Sequence, residues 1–182
     1  MNVVLPNTSI SLANAEDIPV IRKLLNSAYR GESSRSGWTT EADLIAGDVR
    51  TDDNDVLQTM NKPGSVFLKY SNAEGQIIGC VNLQQQHLKC YLGMLSVSPL
   101  LQGGGIGKQL LSAAELYALQ IGCSSIFMSV ISARAELIAW YQRNGYEPTG
   151  ERKQFNEDGL SGKHLQPLEF IFLQKTFQLK PS

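Results

Sequence analysis

The chain has 182 residues, a formal net charge of −1, and 42% hydrophobic against 18% charged residues. It is short enough for a single domain over residues 1–182 and long enough to bury a real core. The balanced charge gives no global field that would attract nucleic acid or an anionic membrane, and no apolar run approaches the ~20 residues that span a bilayer.

Cysteine and histidine usage indicates neither a disulfide framework nor a metal site. Cys80, Cys90 and Cys123 stand far apart, which is typical of reduced thiols packed in an interior. The two histidines show no paired spacing with cysteine, so no metal is expected. Residues 1–6 lack the basic region and the long apolar core of a signal peptide, and we therefore expect a cytoplasmic protein.

The N-terminal part predicts a short strand followed by helices. Residues 9–13 form the strand, and the first helix has Asn14 or Asp17 as its N-cap. The buried stripe of this helix consists of Val20, Ile21, Leu24, Leu25 and Ala28.

The next segment is polar and rich in turn residues. Residues 30–37 are bounded by glycine and predict a loop. Thr40 is expected to cap a second short helix that Gly47 ends, and residues 54–60 predict a third.

From residue 65 the apolar period becomes that of strands. Residues 66–70 and 77–83 predict two strands joined by a turn at 72–75, and residues 90–97 continue an antiparallel meander.

The remaining elements predict a crossover followed by a closing strand. A helix over 105–121 leads to a strand over 125–131, which makes a βαβ unit. Residues 135–144 predict a helix and residues 168–176 the last strand, with a polar, mobile loop over 153–166 between them. The whole chain therefore predicts a mixed α/β sheet flanked by helices.

The most informative stretch links the strand at 90–97 to the following helix, and it reads Gln102-Gly103-Gly104-Gly105-Ile106-Gly107-Lys108. A glycine loop at a helix N-terminus presents free N–H groups and the positive end of the helix dipole. Bare glycines also let a phosphate approach the backbone closely. The pattern predicts a ligand that carries phosphate.

Two common phosphate loops do not fit this stretch. A Walker loop ending at Gly107-Lys108 requires glycine at position 102 and serine or threonine at 109, where glutamine stands in both cases. The dinucleotide fingerprint requires a third glycine where Lys108 or Leu110 stands. An ordinary glycine-rich turn before a core helix remains the structural alternative.

Two motifs in the chain resemble those of the GNAT superfamily of N-acetyltransferases. Gln102-x-x-Gly105-x-Gly107 is similar to the acyl-CoA pyrophosphate loop of that family. One strand downstream, Tyr141, followed by Gly145 and Tyr146, is similar to the family's Tyr-x-x-x-Gly-Phe/Tyr helix. The resemblance covers about residues 91–146, and both motifs occur in the family's order.

The resemblance implies a GNAT-like fold, a central, mostly antiparallel sheet in which strands 91–97 and 125–131 splay apart to admit acetyl-CoA as co-substrate. The sheet strand would pair with the pantetheine arm and the loop amides would hold the pyrophosphate. Many members of the family carry an arginine at the position of Gln102, so Gln102 would contribute a hydrogen bond in place of a positive charge. Lys108 either adds charge or is solvated. The implied cofactor-binding residues are Leu95, Ser96, Val97, Gln102, Gly103, Gly104, Gly105, Ile106, Gly107, Lys108 and Arg134.

The family's catalytic tyrosine matches Tyr141. A tyrosine of ordinary pKa, near ~10, is protonated at neutral pH and can donate a proton to a departing thiolate. The alternative is a core aromatic residue beside Trp140. A strand N–H near Val97 would meet the oxyanion.

Two positions depart from the family pattern. Tyr91 stands where many relatives carry a glutamate that acts as base, so the base is unassigned. The candidates are Glu41, Glu136 and Glu169, none of which is supported by its position in the sequence. Alternatively, the amine reacts in its free form and water carries its proton away. Arg134 replaces the usual asparagine, and either approaches the cofactor or substrate or forms an ion pair at the helix start.

Acceptor specificity is expected in the N-terminal region, where residues 38–41 and Arg50-Thr51 are conspicuous. The expected substrate-binding residues are Trp38 as an apolar wall, Glu41 as a carboxylate for an ammonium, and Tyr91; alternatively Trp38 packs under the loop and Glu41 is solvated. A small-molecule amine is the first choice of acceptor. A protein N-terminal or lysine amine and a non-catalytic acyl-CoA-binding module are the alternatives, and a homodimer is left open.

Overall fold

The computed structural model describes residues 3–178, which form two sheets and five helices. The strands are β1 (Ile10–Leu12), β2 (Ile45–Ala46), β3 (Ser65–Ser71), β4 (Ile77–Gln86), β5 (Lys89–Val97), β6 (Ser125–Ile131), β7 (Glu147–Phe155), β8 (Lys163–His164) and β9 (Leu168–Thr176). The helices are α1 (Ile18–Tyr29), α2 (Gly31–Ser34), α3 (Asp53–Met60), α4 (Ile106–Gln120) and α5 (Ala135–Arg143). Within residues 3–178, no helix is both long and apolar enough to cross a membrane.

The main sheet has seven strands in the order β1-β3-β4-β5-β6-β9-β7, and β2 pairs with β8 in a separate two-stranded sheet. Every neighbouring pair is antiparallel except β5 and β6, which are parallel and joined by α4. The predicted mixed α/β fold with a mostly antiparallel sheet is confirmed, as is the predicted meander of β3, β4 and β5.

Helices α1 and α4 cover opposite faces of this sheet. Adjacent strand residues point to opposite faces; accordingly Leu68 and Val81 pack with the residues of α4, whereas Phe67 and Cys80 pack with those of α1. All three cysteines are buried and unpaired. Helix α1 is preceded by a single 3-10 turn in which Asn14 and Asp17 form a capping box.

Three predictions in the N-terminal half were wrong in detail. Val20 is 45% exposed, so it does not belong to the buried stripe of α1. The predicted loop at 30–37 contains the short helix α2. The predicted helix after Thr40 is only a turn, in which the Thr40 hydroxyl accepts a hydrogen bond from the Ala42 N–H at 3.2 Å. The chain then enters β2, because Ile45 is fully buried and pairs with β8.

The predicted loop at 153–166 is irregular over residues 156–162, but residues 153–155 belong to β7 and residues 163–164 form β8. Strand β7 lies at the edge of the main sheet and is exposed along eight of its nine residues, so it has no apolar alternation that the sequence could reveal. The rest of the segment is held against residues 44–46 by β8 and by the Leu165 N–H, which donates to the Leu44 carbonyl at 2.9 Å.

Gly162 is where this segment lies closest to β2, and it generates a prediction. A Cβ at Gly162 would lie 2.4 Å from the Ala46 carbonyl oxygen, and its φ of +102° is unfavourable for other residues. Gly162→Ala should therefore open the β2–β8 pairing and speed amide exchange at Leu165 by roughly tenfold or more, equivalent to ~1.4 kcal/mol.

The matched control is Gly159→Ala, since Gly159 also has positive φ but a Cβ there would meet nothing within 4 Å. The Gly159→Ala variant has an unfavourable positive φ, as Gly162→Ala does, but its Cβ overlaps no neighbouring atom. If both variants change Leu165 exchange equally, the close approach to Ala46 does not hold the segment.

Candidate functional site

The candidate site is the gap between β5 and β6. These strands pair only at Lys89–Ser125, Cys90–Ile126 and Tyr91–Phe127 and then diverge, although β6 continues to pair with β9 along its full length. The splayed arrangement expected of the two strands is thus present in the structure.

A β-bulge in β5 accompanies the divergence. The register of β4 and β5 jumps from Cys80–Ser96 to Asn82–Gly93, so that Met94 and Leu95 both oppose Val81. Met94 has a φ of +54°, which is uncommon for a residue other than glycine. A bulge bends its strand and increases the local twist.

The end of β5 directs backbone groups into the gap. The Ser98 N–H donates to the Ile78 carbonyl at 2.9 Å, and antiparallel partners alternate between hydrogen-bonded and non-hydrogen-bonded pairs. Val97, one residue before, therefore points its N–H and C=O away from β4 and towards the gap. Ser96 instead pairs with β4, and its side chain is buried.

The glycine loop forms an open cradle at the start of α4. Gly103 and Gly105 have φ values of +86° and +85°, and a Cβ on either would meet no atom within 4 Å. Gly105 is the N-cap of α4 and has no side chain to bond the first-turn N–H groups. Those amides and the helix dipole are thus available to an anion, and the residues present fit a phosphate group.

A cavity of about 600 Å³, called the first cavity below, extends from this cradle between the end of β5 and α5, and no residue of β6 lines it. Its walls include most of the residues expected to contact acyl-CoA, together with Trp38 and the side chains of α5. The expected site residues that line it are Trp38, Leu95, Val97, Gln102, Gly103, Gly105, Ile106, Gly107, Lys108 and Tyr141. Ser96, Gly104 and Arg134 do not line it.

Gln102 lines the first cavity but uses its side-chain amide within the protein. Its oxygen accepts from the N–H groups of Trp38 and Thr39 at 2.8 and 3.3 Å, and its nitrogen donates to the Thr39 hydroxyl and the Val97 carbonyl at 2.8 and 3.1 Å. A Cβ at Gly37 would overlap this amide at 2.4 Å. Gln102 therefore fastens residues 37–39 to the end of β5.

Tyr141 stands between the first cavity and a second one of about 240 Å³, and it lines both. Its ring packs against Trp140 and Tyr146 at centroid distances of 5.0 and 5.7 Å, and only 5% of the residue is exposed. Burial raises the pKa of Tyr141 far above that of a free tyrosine. Within residues 3–178 its hydroxyl has no hydrogen-bond partner.

A buried ionic network forms one wall of the second cavity. The Glu41 carboxylate accepts from Arg30 and, at 3.0 Å, from Arg134, and the Arg134 guanidinium also donates to the Thr39 carbonyl at 2.6 Å. Burial alone would raise the pKa of Glu41, but Arg50, Arg134 and Arg30 outweigh it and hold that pKa below its ordinary value.

This network places two of the predicted site residues, Glu41 and Arg134. Glu41 is only 6% exposed, so it is neither solvated nor a free carboxylate for an ammonium. Arg134 forms an ion pair at the start of α5, but with Glu41 and not with its sequence neighbour Glu136. Both residues line the second cavity.

Tyr91, expected to bind substrate, and the two other candidates for a base do not line the second cavity. Tyr91 lines neither cavity, and its hydroxyl shares a 2.9 Å hydrogen bond with Ser129. Glu169 pairs with Arg152 at the surface, and Glu136 lies on the cofactor side in the first cavity. Across residues 3–178, no three His, Cys, Asp or Glu side chains gather into a group that could hold a metal ion.

The sequence analysis missed Tyr29 and Arg30 as site residues. The Tyr29 hydroxyl donates to the Leu95 carbonyl at the bulge, and Arg30 Nε donates to the Ser161 carbonyl at 2.9 Å. Tyr29 lies four residues after Leu25 and so continues the buried stripe of α1, which is the signal that could have found it. Arg30 carries no such signal.

Comparisons with known proteins agree with this geometry. The sequence model of the Acetyltransferase (GNAT) family matches residues 20–146. IAA acetyltransferase of Azospirillum brasilense is 29% identical over 114 residues, covering 62% of this chain and 74% of that protein. The uncharacterized protein YdhI of Bacillus subtilis (strain 168) is 27% identical over 109 residues, which is 60% of each protein.

The same fold occurs in YncA from Salmonella typhimurium, whose structure was solved with its cofactor acetyl-CoA. That structure superimposes with a TM-score of 0.68 at 19% identity and covers 97% of both chains. The family match defines an acyl-CoA-dependent N-acetyltransferase. The chain belongs to the Acetyltransferase (GNAT) family.

The glycine cradle can be tested at Gly107, which is helical and has room for a side chain, since a Cβ there comes no closer than 3.8 Å to Val97. Gly107→Val should fill the cradle and weaken CoA binding by at least about tenfold, ~1.4 kcal/mol, in a calorimetric titration. Gly104→Val is the control, because Gly104 does not line the cavity. Unchanged affinity in a folded Gly107→Val protein would remove the loop from the site.

The buried network can be tested at Glu41. Glu41→Gln removes the charge that compensates two buried guanidinium groups, so it should lower the free energy of unfolding at pH 7 by about 3–5 kcal/mol. Because the folded-state pKa of Glu41 is lowered, the ionised carboxylate stabilises the folded state above the ordinary carboxyl pKa, and this stabilisation is lost as pH falls. The difference from wild type should therefore shrink below about pH 4.

Urea unfolding at pH 7 and pH 3.5 measures both effects. Glu169→Gln, which breaks an exposed ion pair, is the control and should change stability little at either pH. Equal stability of wild type and Glu41→Gln at pH 7 would contradict the role of the network.

Proposed function

We propose that the chain transfers the acetyl group of acetyl-CoA to the primary amine of a small molecule in the second cavity, with Tyr141 as general acid. The observation that carries the proposal is that Tyr141 lines both cavities. A group at the junction of a cofactor cavity and an acceptor cavity is within reach of the bond that breaks between them.

The first cavity has hydrogen-bond donors at both of its ends. When bound, acetyl-CoA supplies the activated thioester. The first-turn amides of α4 bind phosphate oxygens, and Lys108 and Arg143, which also line the cavity, contribute positive charge. The Val97 N–H, directed into the gap by the register of β5, stabilises the oxygen that becomes negative during transfer.

Tyr141 delivers a proton to the departing sulfur. Burial raises the pKa of Tyr141, so its hydroxyl stays protonated throughout the physiological pH range and does not act as a base. The same shift makes the phenol a weaker acid than a thiol, so the proton passes to the sulfur as the thiolate charge develops, and the tyrosinate then regains a proton from water. Its ring is fixed by contacts with Trp140 and Tyr146, which orients the hydroxyl without requiring a further hydrogen bond.

On the acceptor side the amine reacts as its free base. Glu41 is neutralised by two arginines and has a lowered pKa, so it is a weak proton acceptor. Water within the second cavity carries the proton away instead. A volume of about 240 Å³ suits a small molecule better than a segment of protein, and this favours a small amine over a protein N-terminal or lysine amine.

Tyr141→Phe tests the acid directly, because it removes one oxygen and preserves the packing. General acid catalysis typically contributes ~100- to 10,000-fold, and a thiol is already a moderately acidic leaving group, so kcat should fall by about 100-fold. Affinity for acetyl-CoA should change little. The rate must be measured where chemistry limits turnover.

Tyr146→Phe is the matched control. Tyr146 is also a buried tyrosine on the same aromatic cluster, but it lines neither cavity and its hydroxyl donates to Glu115 at 3.0 Å. Its variant should retain kcat. A folded Tyr141→Phe enzyme with the kcat of wild type would show that the leaving thiolate needs no proton from this residue.

A further inference from the structure

The second cavity contains a charged group that the protein leaves unsatisfied. The Nη1 atom of Arg50 is buried from solvent and has no hydrogen-bond partner within residues 3–178. Arg50 lines this cavity together with Tyr29, Arg134 and Tyr141. A buried cationic N–H group without an acceptor is unfavourable and calls for an explanation.

Arg50 is held rigidly in this position. The N–H groups of Arg50 and Thr51 both donate to the Asn26 side-chain oxygen, at 2.7 and 3.0 Å, and the Asn26 side-chain nitrogen donates back to the Thr51 carbonyl at 3.1 Å. The guanidinium lies over the ring of Tyr29, 3.9 Å from its centroid. An arginine fixed at its backbone and stacked on an aromatic ring is preorganised for binding.

The other two arginines of the cavity have protein partners. Arg30 donates to Glu41 and to the Ser161 carbonyl, and Arg134 donates to Glu41 and to the Thr39 carbonyl. The Glu41 carboxylate, whose pKa Arg50 also lowers, makes its hydrogen bonds to these two arginines.

The remaining carboxylates of the cavity are also engaged. Asp158 accepts from the Leu160 and Ser161 N–H groups at 2.9 and 2.8 Å, and Asp55 accepts from the Thr51 hydroxyl at 2.6 Å. The protein therefore provides an acceptor for the other charged groups of this cavity but, within residues 3–178, none for Arg50 Nη1.

We infer that Arg50 binds a carboxylate of the acceptor, so that the substrate of the proposed reaction is a small amino acid or a closely similar amino carboxylate. This inference rests on the proposed function. The planar guanidinium matches a carboxylate with two parallel hydrogen bonds, and a partly dehydrated cavity strengthens such a pair.

The position of Arg50 also limits where the amine lies. The Arg50 guanidinium stacks on the face of the Tyr29 ring. The Tyr29 hydroxyl donates to the carbonyl of Leu95, a residue that lines both cavities. One tyrosine side chain therefore links the carboxylate-binding group to the transfer point. This short span and the volume of about 240 Å³ favour an amine close to the carboxylate.

The first experiment measures kcat/KM with acetyl-CoA for the twenty standard L-amino acids, and for the carboxamide and the decarboxylated amine of each one that is acetylated. The free carboxylate should be preferred by roughly 10- to 100-fold, which is the range expected for a charge-assisted hydrogen bond. Equal use of the carboxamides or amines overturns the inference, as does preference for the matching aminophosphonate.

The second experiment uses variants of Arg50. Arg50→Gln should reduce kcat/KM for the preferred amino acid by about 10- to 100-fold, leave its decarboxylated amine unaffected, and so abolish the discrimination. Arg50→Lys, which keeps the charge but loses the planar fork, should recover only part of it. Arg22→Gln, which removes an exposed arginine paired with Asp53, is the control and should retain full discrimination.

A binding measurement separates this inference from the proposed function. Calorimetric titration of the CoA-bound protein with the same amino acids and carboxamides needs no turnover. Binding of an amino acid that Arg50→Gln weakens supports the carboxylate site even if no acetyl transfer occurs. Absence of binding by all twenty amino acids, or equal binding of a carboxamide, overturns it even if other amines are acetylated.

Discussion

The divergence of β5 and β6 is the constraint on which the site depends. Two parallel strands that pair over three residues and then separate leave the end of β5 without a neighbouring strand on that side, and side chains of Tyr29 and Gln102 bind its Leu95 and Val97 carbonyls instead. The bulge at Met94 and Leu95 bends β5 at that point, and the full pairing of β6 with β9 holds the other side in place. The gap is thus built into the sheet and does not depend on a loop.

Two kinds of polar chemistry meet across this gap. On the side of α4, backbone amides and a helix dipole form a site for anions that needs no charged side chain. On the side of α1, charge is carried by arginines gathered around Glu41, whose carboxylate joins α1 to the start of α5. Tyr141 separates the two regions, and the low polarity around its ring is what keeps its proton in place.

The sequence predicted most of the fold and many of the residues that line the first cavity, for a physical reason. Glycines before a helix and an apolar helix stripe are local features, and the anion site at the start of α4 follows from them, whereas Tyr141 follows from the resemblance to the GNAT superfamily. The acceptor half depends on contacts distant along the chain, such as Arg30 with Ser161 and Arg134 with Glu41, that no local period reveals. Strand β7 was missed because an exposed edge strand has no apolar alternation.

The central claim is that acyl-CoA lies in the first cavity, between the end of β5 and α5, with its phosphates at the start of α4. Amide hydrogen exchange measured with and without CoA tests this most directly, since it reports on single backbone groups. CoA should slow exchange at Val97 and at the first-turn amides of residues 106–108 while leaving the edge strand β7 unchanged. Unaltered exchange at these amides in CoA-saturated protein, with protection elsewhere in the chain, would contradict the account.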